Sequence, residues 1–225
     1  MMSDPEVSPG HDPSDRYVSE RAQMVQAQLR ERGISDQRVL DAMLRIPRHE
    51  FVLAEYRSQA YEDHPIPIGE NQTISQPFII AVSLQALGLR GTESVLEVGT
   101  GSGYQTALLA VLARNVYSIE RHETLAHSAA TILAGLGLNN VTVVVGDGSQ
   151  GLLEHAPFDA ILVSAAAPSV PRSLFDQLSD TGRMVIPVGP PHAQELQLVN
   201  KHDGNPEVEV LEGCRFVPLV GAEGY

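Results

Sequence analysis

The 225-residue chain contains a single cysteine, Cys214, so no disulfide bond can form within it. It also lacks long apolar runs, because no window approaches the roughly 18 apolar residues expected of a helix that crosses a bilayer. Residues 1–15 hold three prolines and four acidic residues, without the apolar stretch of a signal peptide. These absences predict a cytoplasmic protein with no membrane attachment, in which Cys214 is a small buried hydrophobe.

Positive charge is scarce as well. The chain has 15 Lys and Arg against 28 Asp and Glu, which gives a formal net charge of −13. Such an acidic chain is poorly suited to binding phosphates, so no nucleic-acid partner is expected. The eight histidines are scattered, and His49, His64 and His122 have no partner at the spacing of metal ligands on a helix. The sequence therefore predicts no metal site.

The most informative stretch is an apolar run at residues 95–98, followed by Gly99, Gly101 and Gly103. A short apolar run ended by glycines is typical of a buried strand, and the Ala- and Leu-rich residues 104–113 are typical of a helix. Glycine tolerates positive φ and lets a ligand touch bare backbone. A strand, a glycine turn and a helix together predict a nucleotide-binding cradle at the carboxyl end of a parallel sheet. The alternative is a tight turn that needs glycines for its own geometry.

The glycine spacing distinguishes between nucleotides. A dinucleotide fingerprint has the form G-x-G-x-x-G, but Tyr104 stands where its third glycine would be, which disfavours a nucleotide-dependent dehydrogenase. The pattern is acid-x-G-x-G-x-G, with Glu97 two residues before Gly99. It resembles motif I of the class I methyltransferases, which bind S-adenosylmethionine.

Strands and helices alternate after Gly91, which predicts an α/β, doubly wound, mostly parallel sheet with an antiparallel edge. The predicted strands are 95–98, 115–120, 141–145, 158–164, 183–188, 195–200 and 207–217, and the predicted helices between them are 104–113, 122–136 and 171–178. Upstream, helices are expected from Ser19 to Gly33, from a cap at Ser35 or Asp36 to Pro47, and from Pro77 to Leu87. The stretch from Pro47 to Thr73 shows no clear element.

We expect one methyltransferase domain over residues 19–225, after a disordered tail at residues 1–18. Within it, residues 19–90 would form a helical extension on the substrate side. Residues 91–225 would form the core that binds S-adenosylmethionine.

Two acids follow the next two predicted strands. Glu120 lies where an acid can accept hydrogen bonds from two ribose hydroxyls. Asp147, next to Gly148, lies where class I methyltransferases typically have an acid that accepts from the adenine amino group. The alternatives are a solvated acid at a strand end for Glu120 and an ordinary Asp-Gly turn for Asp147. Asp159, in the fourth strand, is expected to be structural.

Several segments closely resemble the protein-L-isoaspartate O-methyltransferase family and occur in the same order along the chain. They are Arg45–Val52, Asn71–Phe78, Gly103–Thr106, Val163–Pro168 and Arg215–Gly221. The resemblance covers roughly residues 24–221. One position departs from it, because Ser164 stands where the family often has glycine.

The resemblance implies a Rossmann-like methyltransferase sheet with an N-terminal helical extension. It implies a monomeric enzyme that methylates the free carboxylate of isoaspartyl residues in damaged proteins and peptides. The cofactor would be S-adenosylmethionine, leaving S-adenosylhomocysteine, with no metal. The implied catalytic residue is Ser75. The implied cofactor-binding residues are Thr73, Ile74, Glu97, Gly99, Thr100, Gly101, Gly103, Glu120, Arg121, Asp147 and Gly148. The implied substrate-binding residues are Ser75, Gln76, Leu219 and Val220.

Such a reaction needs no general base, because an α-carboxyl group with a pKa of about 3.5 is already ionised at neutral pH. Ser75 could donate a hydrogen bond that orients this carboxylate. Its alternative role is the N-cap of the helix that starts at Pro77. Two other functions stay open on sequence grounds: a methyltransferase of the same fold with another substrate, and a non-catalytic module that binds S-adenosylmethionine.

Overall fold

The computed structural model describes residues 13–225. The part before the central sheet consists of three helices and one hairpin: α1 (Pro13–Gln23), α2 (Gln37–Arg45), β1 (Ile66–Gly69), β2 (Gln72–Ile74) and α3 (Pro77–Leu87). Helix α1 continues directly into a π-helical turn, Met24–Leu29, and a 3-10 turn, Arg30–Arg32. Of the two predicted caps for α2, Asp36 is the one used, since its side chain accepts from the N–H of Arg38 and Val39.

The rest of the chain builds a seven-stranded sheet. In chain order its elements are β3 (Ser94–Val98), α4 (Tyr104–Leu112), β4 (Asn115–Glu120), α5 (Glu123–Gly135), β5 (Val141–Val145), β6 (Phe158–Val163), α6 (Arg172–Asp176), β7 (Leu178–Val188), β8 (Gln194–His202) and β9 (Asn205–Cys214). Across the sheet the order is β5-β4-β3-β6-β7-β8-β9. Strands β3 to β7 pair in parallel and β8 and β9 pair antiparallel. The predicted doubly wound, mostly parallel sheet with an antiparallel edge is confirmed.

Both faces of the central strands of the sheet are buried under other elements. Val95 of β3 belongs to the larger core cluster, together with Leu84 of α3 and Leu108 of α4. Its neighbour Leu96 belongs to the second cluster, with Leu174 of α6. Successive side chains of a strand point to opposite faces, so a strand covered on both faces is apolar throughout. No helix in residues 13–225 combines the length and the apolar character needed to span a membrane.

The first helix begins at Pro13, earlier than the predicted start at Ser19, so residues 13–18 are not part of a disordered tail. The reason is a tertiary contact that the sequence pattern does not show. The ring of Tyr17 stacks on His49 with centroids 4.0 Å apart. Arg16 and Glu20, four residues apart, form an ion pair of 2.7 Å. The remainder of the predicted tail, residues 1–12, lies outside the described residues.

The stretch from Pro47 to Thr73 is more ordered than predicted. It contains two 3-10 turns and most of the antiparallel β1–β2 hairpin. The hairpin was missed because β2 has three residues, too few to show an alternating pattern. Several further boundaries also differ, two of them by three residues or more. Strand β7 begins at Leu178, before the predicted residue 183, and β9 ends at Cys214, before the predicted residue 217.

Candidate active site

The glycine turn follows β3 at the carboxyl end of the parallel strands. The N–H of Gly99 donates to the carbonyl of Ile119 on β4 (2.9 Å), and the N–H of Gly103 donates back to the carbonyl of Thr100 (2.8 Å). Gly103 has a φ of 86°. A Cβ at this position would lie 3.0 Å from the Cβ of Ala129 on α5. Glycine is therefore needed here both for the backbone angle and for the close approach of α5.

Glu120, at the end of β4, faces this turn and is 5% exposed. Its Oε2 accepts from the N–H of Gly101 (2.9 Å), and its Oε1 accepts from the N–H of His122 (2.9 Å). Each carboxylate oxygen has a second lone pair. Glu120 thus stiffens the turn and can still accept two hydroxyl donors from a ligand.

A cavity that is partly open to solvent lies over the turn. We call it the cofactor cavity. The structure brings most of the predicted site residues to its wall. These are Thr73, Ile74, Ser75, Gly99, Thr100, Gly101, Glu120, Arg121, Gly148, Leu219 and Val220.

Some residues of the wall were missed by sequence reasoning. They include Gln72, Ser102, Gln105, His122, Ser164, Ala165, Val217 and Pro218. Most of them could have been found from the sequence, because they adjoin a residue that was predicted to belong to the site. Glu97, Gly103 and Asp147, by contrast, were predicted to bind the cofactor and are not part of the wall.

Glu97 lies beneath the turn and is fully buried against α4. Its Oε2 accepts from the hydroxyls of Thr106 (2.5 Å) and Ser118 (2.6 Å), and its Oε1 accepts from the amide of Gln105 (3.3 Å). Burial raises the pKa of Glu97 to about 7, although these three hydrogen bonds act to lower it. In this structure the acid of the motif braces β3 against α4 and β4.

The raised pKa of Glu97 predicts a pH effect on stability. Between pH 4.5 and 7 the unfolded chain has lost this proton while the folded chain keeps it, so stability falls as pH rises through that window. Glu97→Gln removes this titration. The unfolding free energy of the variant minus that of the parent should therefore increase by on the order of 3 kcal/mol from pH 5 to pH 8. Urea denaturation at both pH values measures this difference.

A matched control is Glu93→Gln. Glu93 is buried too, but hydrogen bonds from the N–H groups of Arg90, Gly91 and Thr92 outweigh the effect of burial and hold its pKa below the ordinary value. Its titration lies below pH 5, so its stability difference from the parent should stay constant from pH 5 to pH 8. A constant difference for Glu97→Gln as well would contradict the raised pKa.

Asp147 is engaged by the chain itself. Its Oδ1 accepts from the N–H (2.9 Å) and the hydroxyl (2.7 Å) of Ser149, and its Oδ2 accepts from the N–H of Ala222 (2.8 Å). Gly221 packs so closely that a Cβ there would lie 2.0 Å from Oδ1. Asp147 therefore anchors the C-terminal segment whose residues Leu219 and Val220 line the cofactor cavity. The predicted adenine contact of Asp147 stays a prediction.

The β1–β2 hairpin closes one side of the cofactor cavity. Glu70, at the hairpin tip, accepts from the hydroxyl of Thr124 on α5 (2.8 Å). Its other oxygen lies 3.7 Å from Nδ1 of His122. The tip of the hairpin is thus tied to the start of α5.

A second cavity, which we call the outer cavity, adjoins the first. Its wall includes Gln76, whose amide donates to the carbonyl of Asp63 (3.2 Å), and the exposed Arg215. Four residues line both cavities: Thr73, Ser75, Ser164 and Val217. Ser75 lies between β2 and α3. The N-cap of α3 is Gln76, and no side chain caps this helix. The alternative role of Ser75 as a helix cap is therefore wrong.

Comparison with known proteins agrees with the segments singled out above. The model of the family "Protein-L-isoaspartate(D-aspartate) O-methyltransferase (PCMT)" matches residues 19–224. The protein-L-isoaspartate O-methyltransferase of Koribacter versatilis (strain Ellin345) is 54% identical over 209 residues, which cover 93% of this chain and 94% of the relative. That of Syntrophus aciditrophicus (strain SB) is 53% identical over 214 residues, with 94% and 98% covered.

Solved structures agree with the fold. A protein-L-isoaspartate O-methyltransferase superposes with a TM-score of 0.83 at 31% identity, covering 91% of this chain and 67% of that one. A structure from Plasmodium falciparum, in complex with S-adenosyl-L-homocysteine, superposes with a TM-score of 0.78 at 26% identity, covering 89% and 98%. The family model and the relatives span nearly the whole chain, and the chain belongs to the protein-L-isoaspartate(D-aspartate) O-methyltransferase family.

Proposed function

We propose that this chain methylates the free carboxylate of isoaspartyl residues in damaged proteins and peptides, using S-adenosylmethionine, as the first step of their repair. The observation that carries the proposal is the wall shared by two cavities. Thr73, Ser75, Ser164 and Val217 line both. A cofactor in one cavity and a peptide in the other would meet at this wall.

The residues of the cofactor cavity fit S-adenosylmethionine. Glu120 offers two carboxylate oxygens for ribose hydroxyls, and Val98, Ile80 and Ile119 offer apolar surface. When bound, the cofactor supplies a methyl group on a positively charged sulfur, and S-adenosylhomocysteine remains. We assign cofactor binding to Thr73, Ile74, Gly99, Thr100, Gly101, Glu120, Arg121 and Gly148. Within residues 13–225, no group of three His, Cys, Asp or Glu side chains could hold a metal ion.

We assign the placement of the substrate carboxylate to Ser75, with Gln76, Leu219 and Val220 beside it. The hydroxyl of Ser75 can donate one hydrogen bond to a carboxylate oxygen, which leaves the other oxygen free to react. The carboxylate is ionised already, so no proton has to leave it. The chain's task is then to hold the two reactants in line and close together.

This assignment predicts a flat pH profile. With cofactor and isoaspartyl peptide saturating, the single-turnover rate should change less than about twofold from pH 6 to pH 8, because no catalytic base titrates in that range. Single turnovers are needed because product release can mask the chemical step. Methyl incorporation has to be counted early, since methyl esters hydrolyse faster as pH rises.

The histidine to test is His122, which lines the cofactor cavity. A rate that rises steeply with an apparent pKa near 6.5, and that loses this rise in His122→Gln, would overturn the base-free assignment. It would favour a methyltransferase that acts on an amine or a phenol. Glu97→Gln is measured alongside, because the pKa of Glu97 is about 7 and its titration could produce a similar rise in the rate.

We further propose that the enzyme works as a monomer in the cytoplasm and has no nucleic-acid partner. The absence of a nucleic-acid partner rests on the net charge of −13. The monomeric state is what the family resemblance implies, and a chain with one cysteine suits a reducing compartment such as the cytoplasm. Likewise, the division into a substrate-side extension, residues 19–90, and a cofactor-binding core, residues 91–225, stays a proposal.

A further inference from the structure

Arg48 is the largest fully buried side chain among the described residues, with 0% exposure. It has no ion-pair partner within residues 13–225, and its Nη1 atom has no hydrogen-bond partner there. Burial lowers the pKa of Arg48 to about 10. The charge of Asp63 acts in the opposite direction, but no carboxylate in the described part of the chain lies within ion-pair distance, and burying a cation in this way is costly. An apolar side chain of similar length would fill the same space at lower cost, so the hydrogen bonds of Arg48 need an explanation.

Two main-chain carbonyls receive these hydrogen bonds. Nε of Arg48 donates to the carbonyl of Ala60 (2.7 Å), and Nη2 donates to the carbonyl of Ser75 (2.8 Å). The guanidinium carbon lies 4.9 Å from the ring centre of Tyr104. Tyr104 is the first residue of α4 and directly follows Gly103. Arg48 therefore contacts both the residue that bears the reactive-site hydroxyl and the helix that begins at the glycine turn.

Ser75 depends on such a contact because it lies outside regular structure. Strand β2 ends at Ile74 and α3 begins at Pro77. The other end of α3 is held in a similar way, since Arg183 donates to the carbonyls of Leu87 and Gly88. Each end of α3 thus has an arginine bound to its main chain, but only Arg48 acts next to the two cavities.

We propose that Arg48 is a positioning residue for methyl transfer, which fixes Ser75 relative to the glycine turn. This inference rests on the role proposed for Ser75. A guanidinium donates hydrogen bonds within its own plane and can place its face against an aromatic ring, so its rigid fork fixes the carbonyl relative to the ring. A hydroxyl shifted by about 1 Å loses much of its effect on a reaction that depends on alignment.

The test compares Arg48→Met, Arg48→Lys and the control Arg183→Met. Arg48→Met keeps the length and removes the donors, whereas Arg48→Lys keeps the charge and one donor toward Ser75. Arg183→Met removes a similar pair of bonds at the far end of α3. The measurements are kcat and KM for an isoaspartyl peptide, and the Kd of S-adenosylmethionine by calorimetry.

We expect kcat to fall about 30-fold in Arg48→Met and about fivefold in Arg48→Lys, with the Kd changed less than threefold in both. Arg183→Met should keep kcat within twofold. In a Ser75→Ala background, Arg48→Met should lower kcat less than threefold further, because the group that it positions is gone. If Arg48→Met does not fold, a double-mutant cycle of Arg48→Lys with Ser75→Ala replaces it. In that cycle Arg48→Lys should not lower kcat further in the Ser75→Ala background.

The inference would be overturned if Arg48→Met lowered kcat by the same factor with and without Ser75→Ala. It would also be overturned if Arg183→Met lowered kcat as much as Arg48→Met does. A parent chain that fails to methylate the isoaspartyl peptide would instead overturn the proposed function. The two failures are therefore distinguishable.

Discussion

Replacing Glu120 with alanine should weaken the binding of S-adenosylmethionine at least tenfold. Hydrogen bonds to a charged group typically contribute about 1.5–3 kcal/mol each, and Glu120 offers both oxygens to the cofactor cavity. The substitution also frees the N–H of Gly101 and that of His122, which the carboxylate binds at 2.9 Å. Both effects weaken cofactor binding, so we expect the loss of affinity to reach or exceed tenfold. Calorimetric titration of the folded variant measures it.

Two further variants separate the causes. Glu120→Gln keeps one acceptor oxygen and the shape of the side chain, and should bind the cofactor more tightly than Glu120→Ala. Glu123→Ala removes an exposed acid from the first turn of α5, outside the cavity wall, and should leave the affinity within twofold. An affinity that does not change in a folded Glu120→Ala protein would remove Glu120 from the site.

Ser75→Ala should lower kcat by roughly 10- to 100-fold and change cofactor affinity far less. The range corresponds to the loss of one hydrogen bond to a charged group. The folding stability should stay within about 0.5 kcal/mol of the parent, the usual range for a substitution that breaks no packing or cap. The structural reason is that Gln76, not Ser75, is the N-cap of α3.

Ser83→Ala is the matched control for this prediction. Ser83 lies in α3, is 3% exposed, and donates to the carbonyl of Ile79 (2.9 Å). It should alter stability and leave kcat within twofold. If Ser75→Ala instead lost stability and kept its rate, the serine would have a structural role only.

The order of strands and helices could be predicted from the sequence because both faces of the central strands are covered. Strands such as β3 and β6 are therefore mostly apolar, with one acid each, Glu97 and Asp159. The start of α1 could not be predicted, because it depends on the stacking of Tyr17 on His49, which lies 32 positions further along the chain. Contacts of this kind leave no local pattern.

Some residues of the candidate site could likewise be placed from the sequence, and others could not. Gly101 and Glu120 could be placed together because strand ends and the turns after them meet at one edge of a parallel sheet. Thr73 lies in the separate β1–β2 hairpin, and only the family resemblance pointed to it. The direction of Glu97 could not be predicted from the motif alone. It shares the face of Val95, two residues away, and so points toward α4. Asp147 is bound by Ala222, a contact between distant segments.

The most direct test of the account is a methyl-transfer assay with two peptides that differ only in one linkage. One contains L-isoaspartate and the other contains normal L-aspartate at the same position. Because the free α-carboxylate exists only in the first, the account predicts rapid labelling of the isoaspartyl peptide and little labelling of its twin. Equal labelling of both peptides would contradict the central claim.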